Sequence, residues 1–459
     1  MGLMFRPGIW CPNRENAPTL YLIIVTFPTL PDGMIQSARS EGVSLPAQQP
    51  GAPLGHQMIV LLSLTCGVSV ANIYFPQVIS PLIAAGLHSS PDSAALVVTA
   101  VQLGYAAGVF LLVPLGDRRR HRPLIVTLLT LTGLGLSAAS AAPTLPILVG
   151  ASALIGLTTV VPQIIIPMAA GQVAENRRAT VIGTLLGGLL GGIVVARAFS
   201  GTVGEWLGWR APYVMAAVLA LLLAVVLAAA MPATIPPSRQ RYPALLAESL
   251  RLLRTEGQLR RSCLYQATLF AGFSAAWTSL ALLISGPSYR LGAQTVGLLA
   301  LAGAGSVFCT PIAGRWVDRR GTEHISLICI LGTLIATGVL LAAVLGGAIG
   351  LGTLAAGLLL LDIATQSSQV ANQTRIFALR PEARSRLNTA YMSCAFLGSS
   401  LGSWLGVRAY TALGWPGVCA LVALLAALAL VRHLRYTATH RPSLVEAPVV
   451  EAPAVKTRR

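Results

Sequence analysis

Twelve stretches of roughly twenty mainly apolar residues recur along the chain, and this recurrence constrains the fold more than any other feature. A hydrocarbon core about 30 Å thick is crossed by about 20 residues of helix at a rise of 1.5 Å each. The stretches run over 58–83, 94–115, 123–142, 145–170, 179–203, 211–231, 263–286, 294–316, 324–346, 348–373, 387–409 and 415–432. Only 10% of the 459 residues are charged and 54% are hydrophobic, too little polar surface for a fold in water. The pattern predicts an all-α polytopic membrane protein with twelve transmembrane helices in two six-helix bundles. Glycines within the Leu/Ala/Val runs read as helix-packing positions, and the seven cysteines have no metal-ligand or redox spacing.

Basic residues occupy every second loop. Arg118, Arg119, Arg120 and Arg122 follow span two, Arg177 and Arg178 follow span four, and Arg315, Arg319 and Arg320 follow span eight. Arg375, Arg380, Arg384 and Arg386 read as the loop after span ten, and the opposite loops hold only Arg210 and Arg290. Short loops rich in Lys and Arg stay in the cytoplasm, so both termini are expected there, in a bacterial inner membrane. The same asymmetry accounts for the net charge of +17 through contact with anionic lipid and calls for no nucleic acid.

Residues 1–56 are expected to be a disordered cytoplasmic tail, since the apolar run from Leu20 to Phe27 is too short to span and is bracketed by prolines. A translation start at Met34 is a sharper expectation for this segment. Residues 57–231 and 263–435 are the expected bundles, 232–262 a cytoplasmic linker, and 436–459 a second disordered tail.

The two halves repeat. VPLGDRRRHRPLI after span two matches GRWVDRRGTEH after span eight, placing Asp117 and Asp318 201 residues apart. A second match, at an offset of 207, pairs Glu175 with Glu382 and Arg177 with Arg384. With Gly314, Asp318, Arg319 and Gly321, and with Gly208-Trp209-Arg210 and Gly414-Trp415, the sequence resembles the major facilitator superfamily across residues 57–435. Its first loop copy keeps Asp117 and Arg118 but has Val113 and Arg120 where the pattern has glycines. The nearest likeness is to bacterial drug-efflux and sugar-efflux-like permeases, although Ser152 stands where the proton-antiporter branch has an arginine and Ala196-Arg197 where it has Gly-Pro. The resemblance implies that spans one, four, seven and ten line a central cavity. It also implies that Asp117 and Asp318 latch helix ends in one state of an alternating-access cycle.

An ionisable side chain at the bilayer centre is costly and so a functional suspect, by about 2.5–3.5 kcal/mol on insertion scales. Asp362 in span ten is the carboxylate deepest in any span and Arg197 in span five the comparably deep cation. Asp362, Gln366, Gln369 and Gln373 follow at helical spacing on one face, and Ser152, Gly156, Thr159 and Gln163 make a thinner stripe on span four. Asn72, Tyr74 and Gln77 on span one, Gln102 and Tyr105 on span two, and Tyr265, Gln266, Phe270 and Trp277 on span seven complete the candidates. Asp362 is the candidate proton carrier and the others candidate cavity residues, while a snorkelling arginine is the bland alternative for Arg197. The sequence carries no nucleotide-binding loop, no cofactor or metal motif and no catalytic constellation. It reads as a secondary-active exporter of a small organic solute, coupled to protons and functional as a monomer. An uncoupled facilitator, an uptake permease and a non-transporting membrane sensor are the alternatives.

Overall fold

The computed structural model describes residues 55–232, 241–380 and 383–439. Among them there is no strand, and ten helices are long and apolar enough to cross a membrane. Spans one to three are α1 (His56–Gly86), α2 (Pro91–Gly116) and α3 (His121–Ser140). Span four is broken into α4 (Leu145–Thr158) and α5 (Val161–Gly171), with Pro162, which has no N–H to continue the ladder, at the start of the second piece. Spans five and six are α6 (Glu175–Leu207) and α7 (Arg210–Ala230), and α9 (Gly257–Ser285) is span seven. Span eight combines α10 (Ala293–Ala302) with the first part of α11 (Gly305–Leu341), whose remainder is span nine. Span ten is α12 (Gly347–Phe377), and α13 (Arg384–Thr439) holds spans eleven and twelve. The described residues therefore make twelve crossings, with two pairs of crossings running on through a corner.

Glycine makes those corners. Gly321 (φ 79°) turns the chain between spans eight and nine, and Gly414 (φ 67°) between eleven and twelve, conformations that side chains rarely adopt. Gly208 (φ 84°) is the counterpart of Gly414 in the first half. Each of these last two precedes a buried tryptophan. The Trp415 indole donates to the Leu340 carbonyl at 2.7 Å, while Arg210 covers Trp209 and donates to the Ala142 carbonyl at 3.0 Å. The Gly-Trp pairs are thus a corner and its anchor.

Close helix approach is the packing currency in lipid, where apolar burial alone does not drive helices together. Gly398, Gly402 and Gly406 on span eleven lie against Ala267, Ala271 and Ala275 on span seven, with no room for a side chain. Gly402→Leu should therefore destabilise by about 1–3 kcal/mol through overpacking. The readout is loss of the monodisperse peak and a lower melting temperature in detergent, and an unchanged melting curve would count against this packing.

The structure adds α8 (Tyr242–Thr255) to the expected linker. Leu245, Ser249 and Leu252, at helical spacing, are its buried face. Tyr242 donates to the Leu111 carbonyl at 2.5 Å, and Glu248 meets Arg386 at 3.0 Å, so α8 touches both halves of the chain. Span seven begins at Gly257 rather than 263, and the last helix runs to Thr439, beyond the expected boundary at 436. The expected tails otherwise lie outside the described residues.

One end of the bundle is sealed. Thr411 donates to Asp92 at 2.7 Å, the Gln294 amide donates to Glu205 at 2.7 Å, and Gly201 and Gly297 bring spans five and eight into backbone contact. At the other end, which carries the loop signatures, the two interfaces differ. Asp117 receives the Ser385 hydroxyl at 3.5 Å and faces Arg386. Burial pushes the Asp117 carboxyl above its usual range, and Arg386 and Ser385 pull it back. Asp318, Arg319 and Gly321 are exposed, and among the described residues Asp318 has no polar partner. Around Gly183, Gly187 and Gly314, on spans five and eight, there is open space. The first signature is engaged with the other half, and the second is free.

Candidate functional site

Arg197 and Asp362 meet at the centre of the molecule through the edge and face of one indole. Span five carries Arg197, which is 2% exposed, so the guanidinium does not reach either surface by snorkelling. Its central carbon lies 3.7 Å from the centroid of the Trp277 ring, 5.1 Å from that of Tyr74 and 5.4 Å from that of Phe273. At the edge of that ring the Trp277 N–H donates to Asp362 Oδ1 at 3.1 Å. Cation and carboxylate make no direct ion pair. They attract through space, one over the face of the indole and the other at its edge.

The local sequence explains the arrangement. Phe273 and Trp277 are one helical turn apart on span seven and present their rings on one side. Tyr74 and Gln77, nearly a turn apart on span one, face them from the first half. Gly297 leaves room on span eight for the backbone of Arg197 and Ala198, and Gly303, beside the break between α10 and α11, lets the Asp362 carboxylate approach the span-eight backbone. The centre therefore draws on spans one and five from the first half and spans seven, eight and ten from the second. Relative motion of the halves must separate its members.

The candidates sort into four groups. Tyr74, Trp277, Arg197 and Asp362 come together. Asn72 donates to Thr159 at 3.3 Å and Gln163 to Tyr105 at 3.2 Å, so these four pair within the first half, where they join spans one to four and two to four. Gln102 crosses to the second half and donates to Ser274 at 2.9 Å. Gln366 and Gln369 are half-buried and without a hydrogen-bond partner among the described residues, and Gln373 donates to Asn388 at 3.3 Å. A groove of about 830 Å³ between spans one, five and six is lined mainly by apolar residues, with Ser63, Asn72 and Thr184 among them, and holds neither Arg197 nor Asp362.

Sequence reasoning missed two things. Phe273 belongs to the centre, and its spacing from Trp277 was the available signal. Arg375, read as a loop residue, instead lies buried within α12. It donates to Asn372 at 2.6 Å, Ser326 at 2.7 Å and Ser262 at 3.2 Å, and its Nε lies 3.4 Å from Glu323. Arg261 meets the same Glu323 at 2.5 Å, and His433 stands 3.9 Å away. This cluster ties the ends of spans seven, nine, ten and twelve together near the loop signatures. It is not part of the centre.

Comparison with known proteins agrees with this architecture. The family model described as Major Facilitator Superfamily matches residues 60–297 and again 263–458. The "Uncharacterized transporter YgaY" of Escherichia coli O157:H7 is 35% identical over 371 residues, 81% of this chain and 93% of that protein. The "Probable transporter SCO4007" of Streptomyces coelicolor is 35% identical over 381 residues, 81% of this chain and 85% of that protein. Among solved structures, the nucleoside transporter NupG superposes with a TM-score of 0.65 at 13% identity, covering 83% of this chain and all of NupG. A bacterial homologue of the lysosomal transporter Spinster, inward-facing and unoccupied, superposes at 0.58 and 17% identity, covering 83% of this chain and 94% of the other. At such identities the likeness concerns the fold. With its duplicated loop signature, twelve crossings and a family match along most of its length, the chain belongs to the major facilitator superfamily and is a multi-pass membrane transporter.

Proposed function

We propose that the protein is a proton-coupled exporter of a small organic solute, working by alternating access in a bacterial inner membrane. The observation that carries this reading is the buried Asp362, held by Trp277 and facing Arg197 from the opposite half of the bundle. A carboxyl group in a low-dielectric centre can load and release a proton. Because its counter-charge lies across the interface, its charge state also sets how strongly the halves attract there. The ionisable groups facing it are Arg197 and Tyr74. Export rather than uptake follows the resemblance to efflux permeases. The test is movement of solutes in proteoliposomes with and without an imposed pH gradient, where gradient-independent rates for every solute would favour an uncoupled facilitator.

Orientation belongs to the same proposal. The loop signatures, α8 and both termini face the cytoplasm, as the basic loops require. In a cysteine-free background, a cysteine at exposed Arg254 should resist an impermeant maleimide applied to intact cells, and one at His88 should react within minutes. The opposite labelling would reverse the topology.

A further inference from the structure

We propose that Arg197 is a tethered occupant of a cation-binding cage, and that the solute carried through this centre is a flat organic cation, a guanidinium or an arylammonium, that takes its place. The proposal rests on the reading of this centre as the transport site and names its substrate class.

Three rings surround one planar cation. Trp277 and Phe273 come from one half and Tyr74 from the other, with centroids 3.7, 5.4 and 5.1 Å from the guanidinium carbon. Aromatic faces carry negative charge density and attract cations most strongly where water is excluded. Asp362 lies beyond the edge of the closest ring, hydrogen-bonded to its N–H. Rings and a carboxylate form a recognition set for a cation of this shape.

Hydrogen bonding does little to hold the arginine in the cage. A guanidinium offers five N–H donors, yet among the described residues this one makes a single side-chain hydrogen bond, at 3.3 Å to Gln77, and its buried Nε has no partner. What holds it is ring contact and charge, the forces available to an untethered cation. The tether fixes how far the head can adjust, and a free solute carries no such restriction.

Charge balance also favours a cation. A cation that takes the place of Arg197 meets the carboxylate of Asp362 with opposite charge, whereas an anion drawn to Arg197 sets a second negative charge near Asp362. Exchange follows from the same geometry. A proton on Asp362 removes the attraction that holds Arg197 across the interface, and an organic cation removes it by occupying the carboxylate and the rings. Both need the same carboxylate, so each excludes the other. With neither bound, the arginine stays clasped and spans five and eight stay together at the sealed end.

The test is calorimetric binding to full-length protein in detergent at fixed pH, using phenylguanidinium, its neutral isostere phenylurea, and benzoate. Phenylguanidinium should bind about ten- to thirtyfold more tightly than phenylurea, the ratio expected of desolvated cation–π contact. Arg197→Ala, which vacates the cage, should tighten phenylguanidinium further, and Trp277→Leu should weaken it. Arg197→Met serves the same purpose as the alanine variant should the latter not fold, and the comparison in unmodified protein needs no variant. Equal affinity for phenylguanidinium and phenylurea would overturn the proposal. So would benzoate binding that disappears in Arg197→Ala, since Arg197 would then be an anion-binding residue. No gradient enters this measurement, so its failure leaves proton coupling at Asp362 standing, and a failure of coupling is read separately from Asp362→Asn.

Discussion

Asp362→Asn is expected to abolish gradient-driven accumulation in proteoliposomes while leaving downhill exchange measurable. Asparagine has the shape of the protonated acid and still accepts the Trp277 N–H through its amide oxygen, so the hydrogen bond seen at 3.1 Å survives. What disappears is the ability to alternate between neutral and negative. The variant holds the centre in its neutral form throughout the cycle and loses the attraction for Arg197 that accompanies the charged form. Coupling requires that proton occupancy and solute occupancy each change the free energy of the other, and a group that cannot ionise contributes nothing to that exchange. The loss should be complete for accumulation against a gradient and should persist across the pH range over which the unmodified protein changes rate. Asp362→Glu keeps a titrating carboxyl, displaced by one methylene, and is expected to retain part of the coupling. A variant with asparagine that still concentrates solute at the original rate would place coupling elsewhere and favour the facilitator.

Glu323→Ala is expected to cause a large loss of stability. Glu323 lies between two buried cations, Arg261 at 2.5 Å and Arg375 at 3.4 Å, whose side chains are 1% and 6% exposed. Removing one member of a buried ion pair strands the other, typically at about 3–5 kcal/mol. Glu323 is itself 37% exposed, so solvent screens part of the interaction and about 2–4 kcal/mol is the discounted expectation. The measurement is thermal unfolding of the purified protein in detergent. Arg375→Gln in the Glu323→Ala background should recover part of the loss, because it removes a stranded charge, and the double-mutant cycle then gives the coupling between the two. Unchanged unfolding in Glu323→Ala would mean that the cluster is held by its hydroxyl, amide and carbonyl contacts instead.

The crossings were legible because length and hydropathy decide them locally. A run of about twenty apolar residues has few alternatives in a bilayer, and the corners fall at Gly321, within the second loop signature, and at Gly414, whose Gly-Trp pair repeats that of Gly208. Span eight was found as a continuous stretch although the helix breaks between Ala302 and Gly305, since hydropathy does not register a local change of helix axis. Arg197 and Asp362 stood out for the same reason as the spans did, as charges in the wrong solvent. Their connection through Trp277 did not, because it joins residues 80 and more positions apart and depends on how two bundles meet. Asn72, Thr159, Gln163 and Tyr105 were read as cavity residues from their polarity, their spacing and the spans that the resemblance places at the cavity, and a polar side chain in a membrane helix is equally served by a neighbouring helix, which is where these four find their partners. Arg375 and Arg261 lie near span ends, where charge is expected at the membrane surface, and that expectation concealed their burial.

The unequal state of the two loop signatures has a consequence for where a solute gains entry. Spans two and eleven are joined at several levels, by Asp92 with Thr411, Thr99 with Ser400 and Asp117 with Ser385, while the second signature stands free and open space flanks spans five and eight. A seam fastened along its length behaves as a door's hinge line, and the leading edge of the door is then the side of spans five and eight. On the proposed export reading, a solute passing that edge is expected to arrive from the adjoining leaflet as well as from bulk water. For such a protein the quantity that governs saturation is the concentration dissolved in the bilayer, and apparent affinities measured with different lipids should follow the partition coefficient of the solute.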